Sequence, residues 1–181
     1  MPSEEFLTHL LTHSVKRGDF LLKSGARSTW FLDTKQTACR GEGMLLIAEA
    51  ALSVIPSDAN AIGGLTMGAD PVAFGIAAIA ATHGRFLRSF SIRKEEKDHG
   101  MGGRMAGALQ PGDKVVITED TATRGTSALD AARAVREFGA DPILILALVD
   151  RGGTAKALAV AEGINFVSLA TAEDLGFPFG S

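Results

Sequence analysis

Apolar positions along this chain follow two spacings in turn. Phe6, Leu7, Leu10 and Leu11 fall on one helical face, and Ser3 with Glu4 and Glu5 behind it forms a helix start. A capping hydroxyl and two acids in the first turn favour a helix from Ser3 through about His13. Short strands are predicted over 20–23 and 29–33, around the Ser24-Gly25 turn. A helix over about 41–54 follows and ends before Pro56. From there the order becomes strand, loop, helix, repeated. Strands are predicted over 61–65, 85–92, 115–118, 143–149 and 165–168, and helices from Asp70, over 128–138 and over about 154–162. Asp70 is expected to cap its helix, with Pro71 at the first helical position.

Fully apolar strands alternating with helices imply an α/β fold, a parallel sheet covered by helices on both faces. Ligands of such sheets sit beyond the carboxyl ends of the strands. The polar clusters at 66–70, 93–107, 119–127 and 150–153 each follow a predicted strand directly. There is no internal repeat and no linker, so 1–181 reads as a single domain. Residues 1–58 form an addition packed on an α/β core over about 59–170.

Composition narrows the classes. The chain has 181 residues, 46% apolar and 22% charged, an ordinary globular balance. A net charge of −3 excludes a generally basic nucleic-acid binder, and no nucleic-acid partner is expected. Cys39 is the one cysteine, so neither an intrachain disulfide nor a cysteine zinc site can form, which suits a reducing compartment. The amino terminus MPSEEF has no basic region of a signal peptide, and no apolar run is long enough to span a membrane. A cytoplasmic location is the expectation. Gly, at 21 residues, is in excess and clustered, which points to local backbone function.

The densest chemistry lies at 115–127. A buried strand ends in Glu119 and Asp120, and Thr121, Ala122, Thr123, Arg124, Gly125, Thr126 and Ser127 then lead into a helix. Such a loop offers N–H groups, hydroxyls and a helix dipole to an anion, and the two acids suit the vicinal hydroxyls of a ribose. No Walker phosphate loop occurs, and no G-x-G-x-x-G follows a strand. A second cluster, 93–107, carries Arg93, Lys94, Lys97, His99 and Arg104 among glycines at 100, 102, 103 and 107. A solvated charged loop is the plain reading. Cations able to neutralise a pyrophosphate, on a lid able to close, is the functional one.

The 115–127 segment resembles the phosphoribosyl pyrophosphate (PRPP) motif of type I phosphoribosyltransferases, and the resemblance implies their parallel-sheet core with a small N-terminal hood. In that family the acid pair binds the ribose hydroxyls and the following loop the 5-phosphate, which gives Glu119 and Asp120 the first role and 121–127 the second. Arg93-Lys94-x-x-Lys97-x-His99-Gly100 looks like the catalytic loop of the orotate phosphoribosyltransferases among them. Lys23-Ser24-Gly25 with 28–31 resembles their hood segment, 63–71 their pyrophosphate loop, and Asp150-Arg151 their orotate-contacting pair. The resemblance implies transfer of the ribose 5-phosphate group of PRPP to orotate, giving orotidine 5'-monophosphate and pyrophosphate. It implies catalytic roles for Lys94, Lys97, His99 and Asp120. Substrate would be bound by Lys23, Phe31, Arg93, Glu119, Thr121 to Ser127 and Arg151, with Thr123 on orotate. It also implies magnesium held mainly by PRPP, with no protein metal ligand assigned, and a homodimer with shared sites. Arg124-Gly125-Thr126 departs from a commoner Thr-Gly-Gly, and Arg124 either touches phosphate or points to solvent. No lysine stands near Met67, which leaves pyrophosphate contacts there to the backbone.

Two other functions remain in view. A purine or uracil phosphoribosyltransferase would leave Arg151 and the Lys23 segment unexplained, and a PRPP-sensing regulator would need a nucleic-acid surface. His9 and His13, four apart with no third ligand evident, read as surface histidines, and Cys39 as a packing or surface residue. Trp30 is either a core aromatic or part of the hood.

Overall fold

The computed structural model describes residues 1–21, 27–95 and 103–179. Chain order is α1 (Glu4–His9), β1 (Val15–Leu21), β2 (Arg27–Leu32), α2 (Lys35–Ala38), α3 (Gly41–Val54), β3 (Ala61–Leu65), α4 (Asp70–Thr82), β4 (Arg88–Ile92), β5 (Met105–Gly107), β6 (Lys114–Ala122), α5 (Thr126–Glu137), β7 (Asp141–Asp150), α6 (Ala155–Ala161) and β8 (Asn165–Thr171). Six strands form one sheet in the order β5-β4-β3-β6-β7-β8, and β1 pairs with β2 in a separate antiparallel ribbon.

Apolar side chains on both faces of the central strands draw helices to both sides. Ile62, Val116, Leu144, Leu146 and Leu148 pack with Ile47 of α3 and Val72 and Ile76 of α4. Val115, Ile117 and Ile145 pack on the other face with Ala131, Ala132 and Val135 of α5. Phe6, Leu10, Trp30 and Leu32 belong to the first of these clusters, so the N-terminal elements share the core of the sheet. Glycine lets the central strands approach: a Cβ on Gly64 would lie 2.5 Å from the Thr118 carbonyl oxygen of β6, and one on Gly63 would overlap Phe90 of β4.

Several elements differ from expectation. The first helix closes in a π-helical turn over Leu10–Ser14. β1 starts at Val15, ahead of the predicted 20–23, because pairing of Val15 with Leu32 and Arg17 with Trp30 supplies the regularity its polar residues hide. β4 starts at Arg88, since Arg85 turns its guanidinium to the carbonyls of Ile55 and Pro56. The glycine-rich segment contains β5, antiparallel to β4, so the sheet is parallel except at this edge. β6 does not stop at Thr118. Its ladder with β7 pairs Glu119 with Ala147 and Ala122 with Asp150, which carries the strand through the acid pair. Asp70 is the first residue of α4 and not its cap, because its carboxylate accepts from the hydroxyls of Thr66 (2.6 Å) and Ser91 (2.6 Å) instead.

Candidate active site

Alternation along β6 sends Glu119 and Asp120 to opposite faces of the sheet end, although they are neighbours in sequence. Glu119 follows Ile117 on the side covered by α5. Burial first, and the adjacent Asp120 charge second, push its carboxyl up to about 8. Asp120 follows Thr118 on the side of α4. Its Oδ1 accepts from its neighbour Thr121 N–H at 2.9 Å and its Oδ2 from Lys35 Nζ at 2.9 Å. Gly68, in the loop after β3, backs this carboxylate so closely that a Cβ there would lie 2.9 Å from Oδ1. The loop contains a cis peptide between Thr66 and Met67.

The Glu119 environment sets a pH dependence. The folded chain keeps this proton to about pH 8, whereas the unfolded chain releases it near the ordinary 4.5, so the group lowers stability as pH rises between those values. Glu119→Gln therefore gains stability over the native chain at pH 8 and little near pH 4, read by urea unfolding at both. An equal gain at both pH values would assign the effect to packing instead of charge.

Beyond β6 the chain turns at Gly125, whose φ of +80° favours glycine. A Cβ there would meet Ala155 Cα at 2.7 Å. The loop rests on the segment after β7: Ala155 N–H donates to the Thr123 carbonyl (3.3 Å) and Thr154 Oγ1 to that of Arg124 (2.9 Å). Among the described residues no side chain caps α5, and Thr123, Arg124, Thr126 and Ser127 are exposed, with Thr121 and Gly125 partly so and Ala122 buried. The uncapped N–H groups and hydroxyls at this helix start make an anion cradle.

Arg151 follows β7 and is 9% exposed. Its guanidinium carbon lies 4.1 Å from the centroid of Trp30, whose ring stacks on Phe177 with centroids 4.1 Å apart at 4°. Arg17 lies 4.8 Å from the Phe177 centroid. Desolvation pulls the Arg151 guanidinium below its ordinary value. Trp30 is thus fully buried and beside a functional candidate at once. Phe31, on the same strand, is exposed, with its ring 5.7 Å from that of Phe20.

The cationic segment leaves β4 through Arg93, whose N–H donates to the Arg104 carbonyl (2.8 Å) while Arg104 Nε donates back to the Arg93 carbonyl (2.9 Å). Arg104 also grips both carboxylate oxygens of Asp130 on α5 at 3.0 and 2.6 Å, so this cation anchors the end of the segment. Lys94 is exposed. Lys23, Lys97 and His99 lie outside the described residues.

Lys35 stands in no motif of the sequence. It bridges Asp120 and Asp33, at 2.9 and 3.2 Å, and the one available signal was its place just after a strand in Asp33-Thr34-Lys35. Burial opposes its charge, but the two carboxylates outweigh burial and raise its value. His9 is not the surface residue expected. It is largely enclosed, with Nδ1 3.2 Å from Thr37 Oγ1 and its ring 4.5 Å from that of His13. Cys39 is exposed.

An acid pair at a central strand end, opening into an anion cradle, is the arrangement of the type I phosphoribosyltransferases, and solved structures bear out that class. The chain is similar to Mycobacterium tuberculosis H37Rv orotate phosphoribosyltransferase in complex with Fe(III) dicitrate, with a TM-score of 0.84, 33% identity, and coverage of 96% of this chain and 98% of that one. The complex of that protein with 5-phospho-alpha-D-ribosyl 1-diphosphate (PRPP) matches with a TM-score of 0.80 and 31% identity over 96% and 98% of the two chains. Orotate phosphoribosyltransferase of Rhodopirellula baltica is 39% identical over 173 residues, 91% of this chain and 89% of that protein. No protein-family model matches. The chain belongs to the orotate phosphoribosyltransferase family.

Proposed function

We infer that this chain catalyses the reaction of its family, transferring the ribose 5-phosphate group of PRPP to orotate to give orotidine 5'-monophosphate and pyrophosphate, a step of pyrimidine synthesis. The observation that carries this reading is the end of β6, where Asp120 and Glu119 stand beside the uncapped start of α5. An orotate nitrogen attacks the anomeric carbon, and the bond to pyrophosphate breaks. The chain's task is to hold the ribose and to receive the charge that leaves. Asp120 accepts from one ribose hydroxyl. Glu119, protonated to about pH 8, can donate as well as accept at the other. The 5-phosphate takes the cradle over 121–127. Backbone N–H groups of the loop after β3 receive the pyrophosphate, and the resemblance assigns its charge to Arg93, Lys94, Lys97 and His99. Arg151 meets the orotate carboxylate, and the resemblance assigns further orotate contacts to Lys23, Phe31 and Thr123.

A divalent magnesium ion suits this donor set. Asp120 offers a hard carboxylate oxygen at the strand end, and oxygens of PRPP would supply the other ligands. When bound, the ion offsets pyrophosphate charge.

We read 1–181 as one domain, with 1–58 as its hood, because both parts fill the same core. Among the described residues, no helix is long and apolar enough to cross a membrane. The exposed thiol of Cys39 suits a reducing cytoplasm. A homodimer is supported by exposed Leu45 of α3, Phe74 of α4 and Met67 before it, on helices that meet through Met44 and Gly75. The resemblance implies that in such a dimer the lysines at 94 and 97 act at the neighbouring site. Mixing inactive Lys97→Ala with inactive Asp120→Asn protein then restores about a quarter of native activity, since about half the dimers are mixed and each has one intact site of two. No recovery despite demonstrated subunit exchange would assign each loop to its own subunit.

A further inference from the structure

Lys35 is placed by residues far from it in sequence. It opens the short helix α2, whose Thr37 hydroxyl is buried and pairs with Ser14 Oγ at 2.7 Å. Thr34, just before it, is also fully buried and lies 3.4 Å from Thr121 Oγ1, on the strand that carries Asp120. The backbone that carries Lys35 is therefore tied down on both sides. Its ammonium spans Asp33 Oδ1 (3.2 Å) and Asp120 Oδ2 (2.9 Å). The opposite oxygen of Asp120 is held by Thr121 N–H, and Gly68 closes the space behind. The carboxylate has its plane fixed from three directions, and among the described residues only Lys35 does so with a charge.

We propose that Lys35 is a positioning residue for the reaction, holding the Asp120 carboxylate in the orientation that receives a ribose hydroxyl of PRPP. This rests on the function proposed above. It places a determinant of PRPP affinity in the N-terminal segment, outside the strand, loop and helix that form the ribose phosphate site. It also makes Asp33 a participant, since Asp33 fixes the lysine that fixes Asp120.

A salt bridge with a half-exposed lysine contributes little to stability, so the effect belongs in binding. PRPP affinity by calorimetry and the Michaelis constants for both substrates are measured for the native chain, Lys35→Met, Lys35→Gln, Lys35→Arg, Asp120→Asn and the double variant Lys35→Met with Asp120→Asn. Lys35→Met and Lys35→Gln are expected to weaken PRPP about tenfold, the low end for a charged hydrogen bond, with the orotate constant and the melting temperature nearly unchanged. Lys35→Arg restores most of the affinity. Added to Asp120→Asn, Lys35→Met costs less than about twofold, because its partner is already gone. Native protein that binds PRPP, with Lys35→Met and Lys35→Gln binding it equally well, overturns the proposal while leaving the function standing. So does a full, additive loss in the double variant. Native protein that does not bind PRPP overturns the function itself.

Discussion

Asp120→Asn folds as the native chain does and binds PRPP roughly ten- to a hundredfold more weakly, the equivalent of ~1.5–3 kcal/mol for a charged hydrogen bond. The fold survives because the Asp120 side chain, near the strand end, meets Lys35, Thr121 and the Gly68 loop, and the amide keeps the shape of the carboxylate there. Binding suffers twice. The amide is a weaker acceptor for a ribose hydroxyl, and it presents no charge to Lys35. Calorimetry with PRPP checks this, and unchanged affinity would remove Asp120 from the site.

Arg151→Ala acts on the other substrate. The orotate Michaelis constant rises by roughly tenfold or more, since a charged bidentate pair with the carboxylate is lost. PRPP affinity stays near native. Trp30 would let the arginine serve as a fixed reader: the indole carries the guanidinium on one flat surface, backed by Phe177. Arg151→Lys, which keeps charge but not the plane, is expected to recover only part of the loss. Steady-state kinetics with each substrate varied in turn separates the two effects. Equal losses for both would make Arg151 a structural residue or one that touches PRPP.

What could be read from the sequence was what lies contiguously. The β6 strand, its acid pair, the loop and the start of α5 occupy one run, so their spacing and residue types expose the chemistry directly. Alternating apolar strands and helices likewise declared the sheet. Contacts made across the fold stayed hidden. Lys35 and Asp120 stand 85 positions apart, and nothing near either names the other. Phe177 gave no signal because its role is to stack on Trp30 from far along the chain. β5 was masked by the glycines around it, since three residues carry too little pattern to register as a strand. The polar residues at the end of β6 carry no apolar pattern, yet pairing with β7 holds them extended to Ala122, past the end that the pattern predicts. The position of Asp70 predicts a cap, but the hydroxyls of Thr66 and Ser91 claim its carboxylate first.

The most direct test is the change in orotate absorbance in the presence of PRPP and magnesium, run beside uracil, adenine and hypoxanthine. Orotate is expected to be consumed only when PRPP is present, with pyrophosphate released in equal amount and the other bases left untouched. Turnover of one of those bases without turnover of orotate would contradict the assignment of Arg151 as a carboxylate reader and, with it, the substrate proposed for this site.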